Sequence, residues 1–134
     1  MRLLLLFFIS SVLFSGCQKD ELSRTKTNLS QTWVVSQVEF GGKDTTETWK
    51  LGHVDYSLLL GKDNKYFENY TDAFGNKISQ SGSWLLSDDA LKVTFSNADK
   101  QAVRTLEIIL IDSENFNFNK ASTNPKETYY LKSI

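Results

Sequence analysis

The chain has 134 residues, and its 15 Lys+Arg against 16 Asp+Glu give a net charge of −1. This length is that of one domain, and the near-neutral charge offers no basic surface for nucleic acid. One Cys and one His exclude an intrachain disulfide and a Cys-based zinc site. We therefore predict neither a metal nor a cofactor.

Residues 1–16 have the pattern of a secretory signal peptide. Arg2 supplies the positive start, and an apolar stretch then runs from Leu3 to Phe14. The stretch is too short to span a bilayer as a helix, which needs about 20 apolar residues. The alternative, a buried amphipathic helix, would require polar residues at regular spacing through the stretch.

The segment Phe14-Ser15-Gly16-Cys17 resembles the bacterial lipobox. The resemblance implies that Cys17 becomes the N-terminus and carries a thioether-linked diacylglycerol, with fatty acids such as palmitate. Each buried CH₂ contributes about 0.8 kcal/mol, so several acyl chains anchor a protein stably to a membrane. The alternative is an ordinary free cysteine.

The next four residues, Gln18, Lys19, Asp20 and Glu21, resemble a surface export signal of lipoproteins in one phylum of Gram-negative bacteria. The resemblance implies a lipid-anchored protein of the outer membrane, on the cell surface. The alternative is a plain hydrophilic tether and the inner leaflet. We predict a lipidated N-terminus and flexible tether over 17–27, with a short turn of helix near Asn28–Gln31, and a folded domain over 28–134.

From Gln31 onward, β-branched and aromatic residues are frequent, and turn residues interrupt them every 8–12 positions. This spacing predicts eight or nine short strands. They are Thr32–Phe40, Thr45–Leu51, Tyr56–Leu60, Lys65–Thr71, Lys77–Leu86, Ala90–Ser96, Ala102–Ile111, Asn115–Asn119 and Glu127–Lys132.

Alternation within these strands indicates a sheet with one apolar face. Leu91, Val93 and Phe95 share a face, and Tyr66 and Tyr70 share one with Glu68. The far end of Arg104–Ile111 is apolar on both faces, which favours a strand covered on both sides; an exposed apolar edge is the alternative. Short connections make successive strands antiparallel neighbours, so we predict an all-β, up-and-down antiparallel barrel of about eight strands; a two-sheet sandwich is the alternative.

Several segments resemble the bacterial lipocalin-like lipoprotein domains. They are Leu29-Ser30-Gln31-Thr32-Trp33, Leu58–Leu60, Asp63–Tyr66, Gly82–Asp89, Ile108–Ile111 with Asn115-Phe116, and Tyr129-Tyr130-Leu131. The resemblance covers about residues 29–132 and implies an eight-stranded calycin-type barrel. The chain departs from the family at Gln31, where a Gly is frequent.

No catalytic motif occurs in the chain. His53 stands in a loop-like segment and is interpreted as a surface residue, and the adjacent Asp88 and Asp89 are interpreted as a turn. We therefore predict that the protein is not an enzyme. The enzyme alternative would place His53 beside a carboxylate in a cleft.

The sequence thus predicts a non-catalytic binding module for a small apolar molecule or a glycan. The predicted site is an interior cavity lined by Trp33, Leu58, Trp84, Val93 and Phe95. The alternative is a protein–protein interaction module, an inhibitor or an accessory subunit of a surface complex, that uses the loops Asp72–Lys77 or Lys120–Lys126.

The segment Asp44-Thr45-Thr46 resembles the O-glycosylation motif of exported proteins in the same phylum. The resemblance implies a modification at Thr45. The alternative is an unmodified hairpin turn, which would use the same residue types.

Overall fold

A computed structural model describes residues 17–134, so the predicted signal peptide over 1–16 lies outside the described residues. Two helices occur in this part: α1, which covers residues 17–29, and α2, Thr46–Leu51. The strands are β1 Thr32–Phe40, β2 Lys43–Asp44, β3 Val54–Leu60, β4 Lys65–Thr71, β5 Lys77–Leu86, β6 Lys92–Ser96, β7 Ala102–Ile111, β8 Asn115–Lys120 and β9 Glu127–Ser133. Neither helix, within these residues, combines the length and apolar character needed to cross a membrane.

The strands form a closed antiparallel barrel. Each strand from β3 to β8 pairs with the next along the chain, and β1 pairs with both β3 and β9 to complete the circle. The two-residue β2 pairs only with the end of β1, so eight strands make the barrel wall. The predicted up-and-down barrel is confirmed, and the sandwich alternative is wrong.

The wall is weakest between β1 and β3. Only Thr32 and Trp33 of β1 pair with β3, whereas the whole length of β1 pairs with β9. A register irregularity between Val35 and Gln37 bends β1, and another lies between Val54 and Ser57 in β3. The two strands diverge beyond Trp33, and α2 lies next to this gap.

The predicted strand over Thr45–Leu51 is wrong, because these residues form α2. Asp44 Oδ1 accepts a hydrogen bond from the Thr46 backbone N–H at 2.9 Å and so satisfies a donor of the first turn. Glu47 lies in the first turn and Lys50 in the last, and Gly52 ends the helix. These are helix boundary signals, but six residues are too few to show a helical period.

Residues 17–29 are helical, although the sequence predicts a flexible tether over 17–27. Leu22, Thr25 and Leu29 are spaced three and four residues apart, which places them on one helix face. Thr25 and Leu29 are buried, and Leu29 belongs to the barrel core. A few buried side chains at helical spacing are enough to pack α1 against the barrel. The prediction of a flexible tether followed from the low number of apolar residues in this segment, which does not reveal their spacing.

Large side chains fill the barrel at the end next to α1. Trp33, Trp84, Phe95 and Phe116 are at most 2% exposed. The ring centroids of Trp33 and Phe116 lie 5.6 Å apart, and the Trp33 indole Nε1–H donates to the Leu29 carbonyl at 3.0 Å. The tryptophan thus connects α1 to the core.

Two predictions about strand faces are corrected. Ile109 and Leu110 of β7 are 53% and 44% exposed, so the outer face of this strand is open rather than covered. Leu91 precedes β6 and is 58% exposed, so it does not share the buried face of Val93 and Phe95. A central position in the sheet covers a strand's edges but leaves the outer face of a barrel to solvent.

Gly82 of β5 is required by a close approach between strands. A Cβ at this position would overlap the Ser96 backbone carbonyl oxygen and lie 2.9 Å from Tyr66 Cε1. We expect Gly82→Ala to lower the free energy of unfolding by about 3 kcal/mol, because backbone must move to admit the methyl group. Urea unfolding measures the effect, with the exposed neighbour Ser81→Ala as control. Equal stabilities for the two variants would contradict this packing.

Candidate ligand-binding cavity

A cavity of about 160 Å³ lies inside the barrel at the end away from α1. Its walls are mainly aromatic and comprise Trp49, His53, Tyr56, Tyr70, Phe118 and Tyr129. The charged pair Glu68 and Arg104 also lines it, as do Gln80 and Lys120, which are exposed. These two exposed side chains show that the cavity reaches the surface.

The inward carboxylate of the cavity comes from β4, because every second side chain of a strand points to the same face. Tyr66, Glu68 and Tyr70 share a face, as predicted, and the structure shows that this face points into the barrel, where Glu68 is only 4% exposed. A buried carboxylate is costly without partners, so its inward position requires a cation or donors nearby.

Arg104 of β7 is that partner. Its Nη1 donates to Glu68 Oε1 at 2.9 Å, and Nη2 lies 2.9 Å from Oε2. The Tyr56 hydroxyl donates to the same Oε1 at 2.6 Å. The guanidinium also lies over the Phe95 ring, 4.5 Å from its centroid. Burial alone would lower the pKa of Arg104, but the charge of Glu68, its hydrogen bond and the nearby Tyr56 and Tyr66 together hold this pKa above its ordinary value.

The second contact of this pair is a charge contact rather than a well-aligned hydrogen bond. Arg104 Nη2 is buried, and although it is close to Glu68 Oε2, no hydrogen bond with acceptable geometry forms to any of residues 17–134. Glu68 Oε2 likewise accepts no hydrogen bond from these residues, since both bonds to Glu68 end on Oε1. The opposite charges of Nη2 and Oε2 therefore balance each other, and Nη2 is covered on all sides.

Burial raises the pKa of the Tyr56 phenol well above its ordinary value, and the negative charge of Glu68 adds to this effect. Burial also raises the pKa of Tyr129, whose hydroxyl donates to Glu127 Oε2 at 2.9 Å. Both phenols therefore act as neutral hydrogen-bond donors at neutral pH.

These shifts predict a loss of stability at high pH. An unfolded Tyr ionises near 10.0, whereas folded Tyr56 stays protonated there, so unfolding releases a proton and stability falls as pH rises above 10. We expect Tyr56→Phe to reduce this fall by up to about 1.4 kcal/mol per pH unit. Urea unfolding between pH 8 and 11 measures it. The same slope in both proteins would show that Tyr56 ionises freely.

Trp49 and His53 form the roof of the cavity. Their rings are parallel within 1° with centroids 4.1 Å apart, and His53 Nδ1 is 2.9 Å from the Trp49 carbonyl oxygen. Tyr56 and Tyr129 meet the Trp49 ring edge-on, with centroids 5.2 and 6.1 Å away. His53 lies in the bend between α2 and β3, as the interpretation of a loop has it, but its ring is half-buried in this aromatic cluster rather than free at the surface.

The predicted ligand-lining residues lie elsewhere, with one exception. Trp33, Leu58, Trp84, Val93 and Phe95 come together in one buried cluster, but of these only Leu58 lines the cavity. The other four are packed against neighbouring side chains, since each is at most 2% exposed. The open space is at the opposite end, where the inward side chains are polar or aromatic.

The sequence missed the Glu68–Arg104 pair and the Trp49 roof. A charged residue at an inward strand position was the available signal for the pair, because such a residue needs a partner. The two residues are 36 positions apart in the chain, and this separation hides which partner Glu68 has. Among residues 17–134, no group of three or more His, Cys, Asp or Glu side chains is arranged to hold a metal ion.

The predicted modification sites are placed as follows. Cys17 is exposed at the start of the described chain, and Gln18, Lys19, Asp20 and Glu21 are exposed on α1. Thr45 is half-buried, and its hydroxyl donates to the Val38 carbonyl at 3.3 Å. Lipidation, export and O-glycosylation stay predictions.

Comparison with known proteins finds relatives in structure only. No family model matches the chain, and no curated protein matches it significantly. A lipocalin-like protein from Bacteroides uniformis is 9% identical, with a TM-score of 0.58 over 80% of this chain and 99% of that one. The fold is that of a lipocalin-like barrel.

Two further solved structures are similar to this chain in fold. An uncharacterized protein from Bacteroides eggerthii is 12% identical, with a TM-score of 0.56 over 79% of this chain and 99% of that one. A protein from Bacteroides uniformis, solved by NMR, is also 12% identical, with a TM-score of 0.54 over 80% and 89% of the two chains. Identities this low establish the shared fold alone.

Proposed function

We propose that this chain is a non-catalytic binding module that holds a small molecule in the barrel cavity. The observation that carries the proposal is the cavity itself, which has aromatic walls and a buried ion pair, Glu68–Arg104, in its lining. Ligand sites typically combine apolar walls with a few placed polar groups. A cavity of about 150 Å³ accommodates benzene, so a space of about 160 Å³ fits one six-membered ring.

The arrangement of the titratable groups supports binding rather than catalysis. Glu68 Oε1 is already engaged by Arg104 and Tyr56, and the His53 ring is stacked on Trp49. Neither the carboxylate nor the imidazole is held beside a nucleophile. A general base has to reach a proton of the substrate at hydrogen-bond distance, and here both candidates serve the packing of the cavity wall.

Ligand-dependent stabilisation tests the binding function. A library of small ring compounds is screened against the full chain by thermal unfolding. A ligand at 100 times its dissociation constant should add about 2.7 kcal/mol of stability. Trp49→Ala opens the roof and should weaken the effect, whereas Phe74→Ala removes an aromatic ring that is 90% exposed and does not line the cavity, and should not. Equal responses in the two variants would place binding outside the cavity.

The location that best suits the N-terminal sequence is a lipid anchor at Cys17 on the outer membrane, with the barrel on the cell surface. The exposure of Cys17 and of the four residues after it supports access for the modifying and exporting machinery. Mass spectrometry of the native N-terminal peptide tests lipidation, and Cys17→Ser should release the protein from membranes.

Replacing Lys19, Asp20 and Glu21 by Ala tests surface export. This variant should lose protease accessibility on intact cells and keep its membrane anchor.

One surface feature favours the alternative function, a protein–protein interaction module. Phe74 is 90% exposed at the tip of the β4–β5 loop. Asp72 fixes this loop, because its Oδ1 accepts from the backbone N–H groups of Phe74 and Asn76 at 2.9 and 2.8 Å. A rigid exposed aromatic side chain is typical of an interface anchor. Loss of a cross-linked partner in Phe74→Ala, but not in Trp49→Ala, would favour this function.

A further inference from the structure

Strand β5 extends beyond the neighbour that completes the barrel wall beside it. It pairs with β4 along Lys77–Ser83, but with β6 only along Ser83–Leu86, because β6 ends at Ser96 and turns into β7. Within residues 17–134, no strand pairs with the first half of β5 on the β6 side. Residues 77–81 therefore form an open strand edge, which we name the β5 edge.

The hydrogen-bond pattern of the β4–β5 hairpin shows which backbone groups this edge presents. The Asp72 N–H donates to the Asn76 carbonyl at 2.9 Å, and the Trp84 N–H donates to the Asn64 carbonyl at 2.8 Å. Bonded positions alternate along an antiparallel pair, so the even-numbered residues of β5 bond to β4 and the odd-numbered residues point the other way. The open side therefore receives the backbone N–H and C=O groups of Lys77, Ser79 and Ser81.

The β5 edge is accessible and has little protection against pairing. Its three outward-bonding residues are exposed, and no backbone hydrogen bond within residues 17–134 reaches them from the β6 side. Natural sheets commonly protect an edge with a proline, a bulge or charged side chains. Here the pairing with β4 is regular, Ser79 and Ser81 are small, and only Lys77, at the outer end, is charged. An added strand thus finds donors, acceptors and space.

The strand position beside this edge lies at the mouth of the barrel cavity. Gln80, in the middle of the edge, pairs with the inward residue Glu68, lines the cavity and is exposed. On an added antiparallel strand, the side chain opposite Gln80 would point to the same face and so into the mouth. The cavity of about 160 Å³ has aromatic walls and is large enough for a benzene ring. A phenylalanine side chain supplies such a ring.

We infer that the β5 edge binds an extended peptide segment of a partner protein, which pairs antiparallel with residues 77–81 and places a phenylalanine side chain in the cavity. The inference rests on the binding function proposed above, since the ring in the cavity then belongs to the peptide. Antiparallel pairing matches every strand pair of the barrel and is the more stable arrangement per residue. Main-chain hydrogen bonds provide the affinity of such strand addition, and the inserted side chain provides the specificity.

Amide hydrogen exchange of the full chain, followed by NMR, tests the inference. The probe is the blocked peptide acetyl-Ser-Thr-Thr-Phe-Thr-Thr-Ser-amide, in which Thr favours an extended backbone. Without peptide, the amides of Ser79 and Ser81 should exchange about tenfold or more faster than that of Gln80, which bonds to β4. Saturating peptide should slow Ser79 and Ser81 about tenfold or more and leave Gln80 unchanged.

Variants of the peptide separate strand pairing from insertion of the side chain. N-methylation of the Thr on either side of Phe removes a donor that faces β5 and should weaken binding about tenfold. N-methylation of the Phe itself is the matched control, because this nitrogen faces away from β5 and its methylation should leave binding unchanged. Replacing the Phe by Ala leaves the cavity empty and should also weaken binding about tenfold or more.

A variant of the protein removes a donor from the edge. In Ser79→Pro the lost N–H has no partner within residues 17–134, so the strand keeps its bonds to β4. This variant should bind the peptide about tenfold more weakly, whereas Ser79→Ala keeps the donor and should bind it as the unmodified protein does.

The outcomes distinguish this inference from the function on which it rests. Exchange of Ser79 and Ser81 as slow as that of Gln80 in the free protein would show a closed edge and overturn the inference. Protection of Ser79 that rises with protein concentration alone would assign the edge to a second copy of the chain and overturn the peptide. Ring compounds that stabilise the chain, when no peptide protects Ser79, would overturn the inference and leave the binding function standing. If neither ring compounds nor the Phe peptide bind, both proposals fail.

Discussion

The single substitution Arg104→Met is expected to lower the free energy of unfolding by about 3–5 kcal/mol. Arg104 supplies the only cation in contact with Glu68 among residues 17–134, and the Glu68 side chain is 6% exposed. Without the guanidinium, this carboxylate is left with the Tyr56 hydroxyl as its partner. An uncompensated buried charge costs more than the packing that Met retains. Urea unfolding at pH 7 measures the loss.

The double variant Glu68→Gln, Arg104→Met should recover most of that loss. Replacing both members of a buried ion pair by neutral groups of similar volume is often close to neutral, because the desolvation cost disappears with the charges. A double-mutant cycle gives the coupling between the two residues. Lys50→Met is the control, since the exposed pair Lys50–Glu47 spans 3.7 Å and contributes about 0.5 kcal/mol or less. A double variant as unstable as Arg104→Met would contradict this explanation.

The barrel itself was predictable from the sequence because its strands obey local rules. The bounds of β1, β4, β5 and β7 agree with the predicted ranges, since each strand alternates or is rich in β-branched and aromatic residues and is bounded by turn residues. Short hairpins then leave few topologies, and closure removes the exposed edges that an open sheet would have. The fold class follows from these patterns without any long-range information.

The site was not predictable in the same way. Alternation shows which side chains point inward, but not which end of the barrel they fill. Trp33, Trp84 and Phe95 fill the α1 end and leave no space there, whereas Glu68 and Arg104 meet only after the barrel closes. The cavity therefore depends on contacts between residues far apart in the chain. Local patterns had placed it among the largest apolar side chains, where packing is in fact densest.

The roof of the cavity was missed for a different reason. Trp49 stands on a six-residue helix inserted between two strands, where the alternating background favours a strand. Its position depends on the divergence of β1 and β3, which a pair of register irregularities produces. Such irregularities have weak sequence signals, yet they decide where a barrel opens.

Trp33→Ala should cost about 3–5 kcal/mol of unfolding free energy, the range for deleting a large buried aromatic ring. Trp33 is 0% exposed and packs against Phe116. It also holds α1, because its indole N–H donates to the Leu29 carbonyl. Besides the loss of stability, we therefore expect faster amide hydrogen exchange in the last turn of α1.

Two further variants divide the effect of Trp33 into its parts. Trp33→Phe keeps a ring in the core but loses the bond to Leu29, so it should cost about 1–3 kcal/mol and still loosen α1. Trp49→Ala removes an equally large ring that is only half-buried, and should cost less than Trp33→Ala. If Trp49→Ala proves as destabilising as Trp33→Ala, the open end of the barrel is as tightly packed as the α1 end. That result would remove the physical basis for a cavity beneath the Trp49 roof.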